Sequence, residues 1–88
     1  MTLRWTPKTE RQLKVIYEFI ARHNPKAAAQ TIEALLEGAE QLLLFPNLGR
    51  PGKRKGTREL VRAPFTIVYR PLEDVISIEG VFRDNLRY

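Results

Sequence analysis

Six basic side chains fall within thirteen residues, Arg50, Lys53, Arg54, Lys55, Arg58 and Arg62, with Glu59 the one acid among them. Guanidinium and ammonium groups at that density hold anions, so the chemistry on offer is recognition of phosphates or of an acidic protein surface. A second group, Arg83, Arg87 and Tyr88, follows the last apolar stretch. Were the two groups to converge in space, the cations could fix a phosphate while Tyr88 stacked on a base or supplied a proton. Convergence depends on a strand register that spacing alone leaves open.

Other chemistries find fewer residues. Cysteine is absent and His23 is the one histidine, so there is no thiolate nucleophile or thiolate metal site, and neither a metal nor a cofactor is expected. His23 stands beside Asn24-Pro25, where it reads as a surface or helix-end residue. Gly49, Gly52 and Gly56 lie among lysines as they would in a phosphate-binding loop. Their spacing departs from G-x-x-x-x-G-K-[ST], and the run leaves a helix to enter a strand, the reverse of that motif's setting. Ser77, the one serine, lies inside a predicted strand with no histidine nearby in sequence, which leaves it without a base. Glu73-Asp74 reads as a solvated turn.

The positive charge has a single source. The formal net charge is +5, and residues 50–62 supply all of it, because the nine bases and nine acids elsewhere cancel. At 88 residues, with 43% hydrophobic and 28% charged side chains, the chain reads as one folded domain over residues 1–88 with a small core. No apolar run approaches the roughly 18 residues that span a bilayer, and the start Met1-Thr2-Leu3-Arg4-Trp5 lacks the apolar stretch of a signal peptide. The expectation is therefore a cytoplasmic protein with no membrane partner.

The elements that must position these cations are marked by periodicity. Thr2 to Trp5 alternates, with Leu3 and Trp5 on one face, as a half-buried strand would. Thr6-Pro7 and Asn24-Pro25 are both helix starts, a side-chain oxygen to accept a free N–H followed by a proline that fits the first helical position. Leu13, Ile16, Tyr17 and Ile20 form the stripe of a first helix near residues 7–22. Ile32, Leu35, Leu36, Ala39, Leu42 and Leu43 form that of a second near residues 26–45, ended by Phe45-Pro46. So tight a junction makes the two an antiparallel hairpin. Asn47 to Gly56 reads as a loop, and Arg58 to Ala63, Phe65 to Arg70 and Val75 to Phe82 as three strands of an antiparallel meander. The fold class is α+β, in the order β-α-α-β-β-β, with the helical hairpin packed on one face of a small antiparallel sheet to which the first strand is added.

Several pieces of this chain, in order, resemble one family: Trp5, Asn24-Pro25 with the alanines after it, Phe45-Pro46-Asn47-Leu48-Gly49-Arg50, Thr57-Arg58-Glu59-Leu60, and Phe65-Thr66-Ile67-Val68-Tyr69-Arg70. They are similar to the RelE/ParE superfamily of bacterial toxins, and closer to its ParE-like branch. The resemblance covers nearly the whole chain and implies the toxin half of a type II toxin–antitoxin pair, bound by a cognate antitoxin.

The branch decides the target. RelE-like members resemble ribosome-dependent mRNA endoribonucleases, in which basic side chains and a C-terminal tyrosine help the ribose 2′-hydroxyl attack the next phosphate. ParE-like members poison DNA gyrase. RelE-like chains typically place a base two positions ahead of the V-Y pair, where this chain has Thr66, and their preceding-strand lysines are replaced here by Arg58-Glu59-Leu60. ParE-like chains often carry histidine where Arg83 stands. The resemblance thus implies a gyrase inhibitor that arrests growth by docking through Arg50, Lys53, Arg54, Lys55, Arg58, Arg62 and Arg83, with no catalytic residues. The alternative is a metal-independent nuclease acting on ribosome and mRNA through Arg83, Arg87 and Tyr88. In either case the antitoxin is expected to lay an apolar helix or strand into a groove beside the helical hairpin.

Overall fold

The computed structural model describes residues 1–84. Strand β1 (Thr2–Trp5) leads into helices α1 (Pro7–Ala21) and α2 (Pro25–Leu44), followed by strands β2 (Arg50–Pro51), β3 (Arg58–Arg62), β4 (Phe65–Pro71) and β5 (Val75–Arg83). Both helices begin as their sequences require. The Thr6 side chain accepts from the Thr9 N–H and Asn24 from the Ala27 N–H, each followed by proline in the first turn. Thr9 is itself buried, and its hydroxyl donates to the Ile78 carbonyl at 2.9 Å, so the start of α1 is fastened to β5.

The five strands are ordered β1-β5-β4-β3-β2. The meander is antiparallel as its short turns demand, and the α+β fold with a helical hairpin on one face stands. Two features differ from the sequence expectation. β1 joins β5 in parallel, Thr2 opposite Val75 through Trp5 opposite Ile78, so the sheet is mixed. Arg50–Pro51, expected within a loop, pairs with Glu59 and Arg58. Proline is tolerated there because a sheet edge leaves one side of the strand without a partner, and two residues are too short for period-two patterning to register. The Gly52 N–H donates to the Thr57 carbonyl at 2.8 Å and closes that hairpin.

Leu35, Ala39 and Leu42 of α2 press onto Leu60, Phe65, Ile67, Tyr69, Ile76, Ile78 and Val81, with Leu13, Ile16 and Ile20 of α1 packed against them. Tyr17 and Leu36, part of the predicted stripes, lie outside this core and are exposed. A hairpin of two helices on a narrow sheet has room for only about a third of each helix's circumference. A bulge in β5 separates Gly80, opposite Val68, from Ile78, opposite Tyr69. The extra residue, Glu79, turns to the sheet face away from the helices while Ile78 and Val81 both stay in the core.

Candidate functional site

The basic loop grows out of a turn fixed from beneath. The Tyr69 hydroxyl donates to the Pro46 carbonyl at 2.8 Å and accepts from the Gly49 N–H at 2.9 Å. Arg58 reaches across to donate to the Gly49 carbonyl at 2.6 Å and the Asn47 carbonyl at 3.4 Å. This accounts for the P-x-x-G-R and I-V-Y-R pieces of the sequence, since the tyrosine of one spans the proline and glycine of the other. Burial pushes the Tyr69 phenol above its ordinary 10.0, against the opposing pull of the Gly49 N–H and the Arg58 charge.

Tyr69→Phe strands two backbone groups, so it is expected to cost about 1–3 kcal/mol of stability, read by denaturant melts. The fold favours the neutral phenol. Its contribution is therefore complete below pH 10 and lost as pH climbs past that value towards the raised one, a loss that the phenylalanine variant lacks.

From this turn the loop folds onto the helix-free face of the sheet. Arg50 pairs with Glu59 at 3.3 Å. Glu79 receives Arg70 at 3.4 Å and Arg54 at 3.8 Å, while Arg70 also donates to the Lys55 carbonyl at 3.0 Å. Glu79 thus ties the tip of the loop to the sheet. Arg50 and Arg54 remain largely exposed, and ion pairs so open to water contribute little, so both guanidiniums stay accessible to a partner.

The predicted docking residues do not form one patch. Arg50, Lys53, Arg54, Lys55 and Arg58 gather at one end of the sheet. Arg62 and Arg83 lie at the other, where Arg62 and Phe65 pair and Phe65 faces Arg83. Arg58 and Arg62 are four steps apart along β3, roughly 13 Å at the usual rise. Arg58 and Arg62 are moreover committed to the protein itself, Arg62 donating to Gln41 at 2.7 Å and to the Val61 carbonyl. Arg87 and Tyr88 lie outside the described residues. Thr66, at the position where a nuclease base would stand, is 1% exposed and bonded to Asp84 at 2.5 Å. Among the described residues, no group of three or more His, Cys, Asp or Glu side chains could hold a metal ion, and no helix is long and apolar enough to cross a membrane.

A second surface lies beside the helical hairpin, where the sequence expectation puts an antitoxin groove without naming its residues. A groove of about 700 Å³ runs between α1 and the end of β5, with Val15, Phe19 and Phe82 among its apolar walls and Lys8, Arg11 and Arg83 among its lining. No carboxylate is among its described lining residues. It opens because β1 stops at Trp5, opposite Ile78, leaving the edge of β5 to be met by α1, whose Gln12 side chain accepts the Val81 N–H at 2.9 Å. Lys8 stands 5.9 Å from the Phe82 ring centroid, a cation–π distance. The signal was present in α1. Val15 and Phe19 are a helical i, i+4 pair off the core stripe.

Over residues 3–85 the chain matches the family described as the ParE toxin of the type II toxin–antitoxin system parDE. The chain belongs to the ParE toxin family. It is 40% identical over 75 residues to the candidate toxin Y4kP of Sinorhizobium fredii, covering 83% of this chain and 78% of that one. The chromosomal ParDE toxin–antitoxin system from P. aeruginosa contains a chain 30% identical to it, with a TM-score of 0.82 and coverage of 94% and 95%. The RelBE2 toxin–antitoxin complex of Mycobacterium tuberculosis contains one 25% identical, with a TM-score of 0.66 over 93% and 95% of the two chains. The RelE/ParE fold and the nearer likeness to ParE both follow. As a ParE-family member, the chain is the toxin component of a type II toxin–antitoxin system.

Proposed function

We propose that this ParE-family toxin arrests growth by binding DNA gyrase in the cytoplasm, docking through its basic loop without bond chemistry of its own, and that a cognate antitoxin silences it from the α1/β5 groove. The observation that carries the gyrase reading is the state of the two positions where the nuclease branch would place bases. Thr66 is buried and bonded to Asp84, and the Arg58 guanidinium is spent on the carbonyls of Asn47 and Gly49. General acid–base work needs a group within reach of the reacting proton, and neither residue is free to serve. Arg50 and Arg54 are exposed and suit an anionic surface.

The groove suits an amphipathic segment whose apolar side chains fill the space by Val15, Phe19 and Phe82 while flanking acids meet Lys8, Arg11 and Arg83. Lys53, Arg54 and Lys55 changed together to Ala should weaken target binding and flatten its salt dependence. Tyr88→Phe should leave growth arrest intact. A ribonuclease would respond in the opposite sense, with a loss of about a hundredfold in cleavage on removing the Tyr88 hydroxyl or Arg83. Parallel growth assays at matched soluble expression separate the two, and full loss of toxicity in Tyr88→Phe alone would assign the nuclease function.

A further inference from the structure

The turn that launches the basic loop carries large apolar side chains outward. Leu44 is 76% exposed, Phe45 60% and Leu48 46%, within five residues. In a chain whose buried core is so small, three such side chains left in water need a reason. Loose packing is not the reason, because the backbone between them is among the most thoroughly fixed in the molecule. Phe45 donates its N–H to Gln41 and accepts from Leu48, Tyr69 holds Pro46 and Gly49, and Arg58 holds Asn47 and Gly49. A rigid loop that shows an aromatic and two leucines is preorganised to bind, since little conformational freedom is lost when a partner closes over it.

We infer that Leu44, Phe45 and Leu48 are the anchor by which this toxin grips its target, and that the surface they enter is protein: an apolar pocket edged with carboxylates. The inference rests on the target-docking role of the basic loop and names the chemistry of what it meets. The same chain segment runs directly from the anchor into Arg50, Lys53, Arg54 and Lys55, all exposed, and the acids flanking it are Glu40, exposed one turn back on α2, and Glu59, buried and paired with Arg50. Four exposed cations against the one exposed carboxylate of Glu40 leave the charge beside the anchor net positive, and its complement is acidic. A nucleic-acid backbone fits less well. Phosphate tracking wants cations presented in a row, whereas Arg58 is committed to carbonyls and Arg62 lies at the far end of the sheet. Leucines neither stack on bases nor meet phosphates. An apolar centre with an arginine and lysine rim is the pattern of a protein interface, in which a few central side chains carry most of the affinity.

The test uses Phe45→Ala with Leu48→Ala in the full chain. Both side chains are exposed, so melting temperature and capture by the antitoxin should match wild type, and a circular dichroism melt checks the fold. Target affinity should fall about a hundredfold, enough to abolish growth arrest at matched expression. Binding is measured against purified gyrase without DNA and against a duplex DNA without gyrase. The inference predicts that wild type binds the protein, that the double variant does not, and that duplex DNA binds neither appreciably at physiological salt.

Growth arrest equal to wild type in the double variant would overturn it. So would loss of antitoxin capture with arrest preserved, which would assign the anchor to the antitoxin, or binding to bare duplex that falls along with arrest, which would make the partner DNA. Failure of wild type to bind gyrase, together with loss of arrest in the double variant, would remove gyrase as the target and leave the anchor in place.

Discussion

Val15→Glu combined with Phe19→Glu yields a toxin that its antitoxin no longer silences. Both side chains are exposed on α1 and line the apolar groove, so the substitutions cost the free toxin little. In the complex the cost is large. Two carboxylates would be carried from water into a space shaped for hydrocarbon, and a buried charge without a matched partner loses several kcal/mol. Lys8 and Arg11 lie nearby and would recover part of it, yet those same cations are the ones an acidic partner would use. The expected result is a fall in antitoxin affinity of at least about a hundredfold, or roughly 3 kcal/mol. Growth arrest should persist when the antitoxin is co-expressed, and co-purification should fail. Unchanged rescue by the antitoxin would move its seat away from the groove.

Gly49→Ala should be among the most damaging single methyl groups that can be added to this chain. A Cβ there would come 2.7 Å from the Glu59 carbonyl oxygen, 2.9 Å from its carbon and 2.8 Å from the Tyr69 ring. Two of those atoms are backbone of β3, so relief requires the β2–β3 edge to move. Such a move also breaks the Gly49 N–H bond to Tyr69 and the Arg58 bond to the Gly49 carbonyl. Overpacking with loss of buried hydrogen bonds predicts a cost of about 3 kcal/mol. For a domain of this size that is a drop of roughly 15 °C in melting temperature. The basic loop and the Phe45 turn would lose their fixed geometry together, so target binding should weaken beyond what the loss of stability explains. A melting temperature within a degree or two of wild type would show that the loop does not depend on this close approach.

Much of this architecture was legible because local signals and tertiary structure agree. Thr6-Pro7 and Asn24-Pro25 start helices by the same chemistry that announces them in the sequence, and the strand runs of β3 to β5 keep period two up to the bulge. What could not be read depends on contacts between distant residues. The direction of β1 is set by where α1 must land, a fact that lives in the Thr9 bond to Ile78 and not in Thr2–Trp5. The pair Arg50–Pro51 becomes a strand only because Glu59 and Arg58 pass alongside.

The site was legible as a charge run but not as a shape. Sequence gathers Arg50 to Arg62 into one segment, whereas the sheet sends Arg62 to its far end beside Phe65 and turns Arg58 into a brace for the loop. Spacing could not show that Glu79, displaced by a bulge, would draw Arg54 and Arg70 together.

Gyrase, and not message, is the target proposed for this ParE-family toxin. DNA supercoiling by purified gyrase, titrated with the toxin beside an assay of ribosome-bound mRNA cleavage, tests it most directly. Inhibition of supercoiling that is relieved by the antitoxin, with the mRNA left whole, is the predicted result. Cleavage of ribosome-bound mRNA while supercoiling proceeds untouched would contradict it.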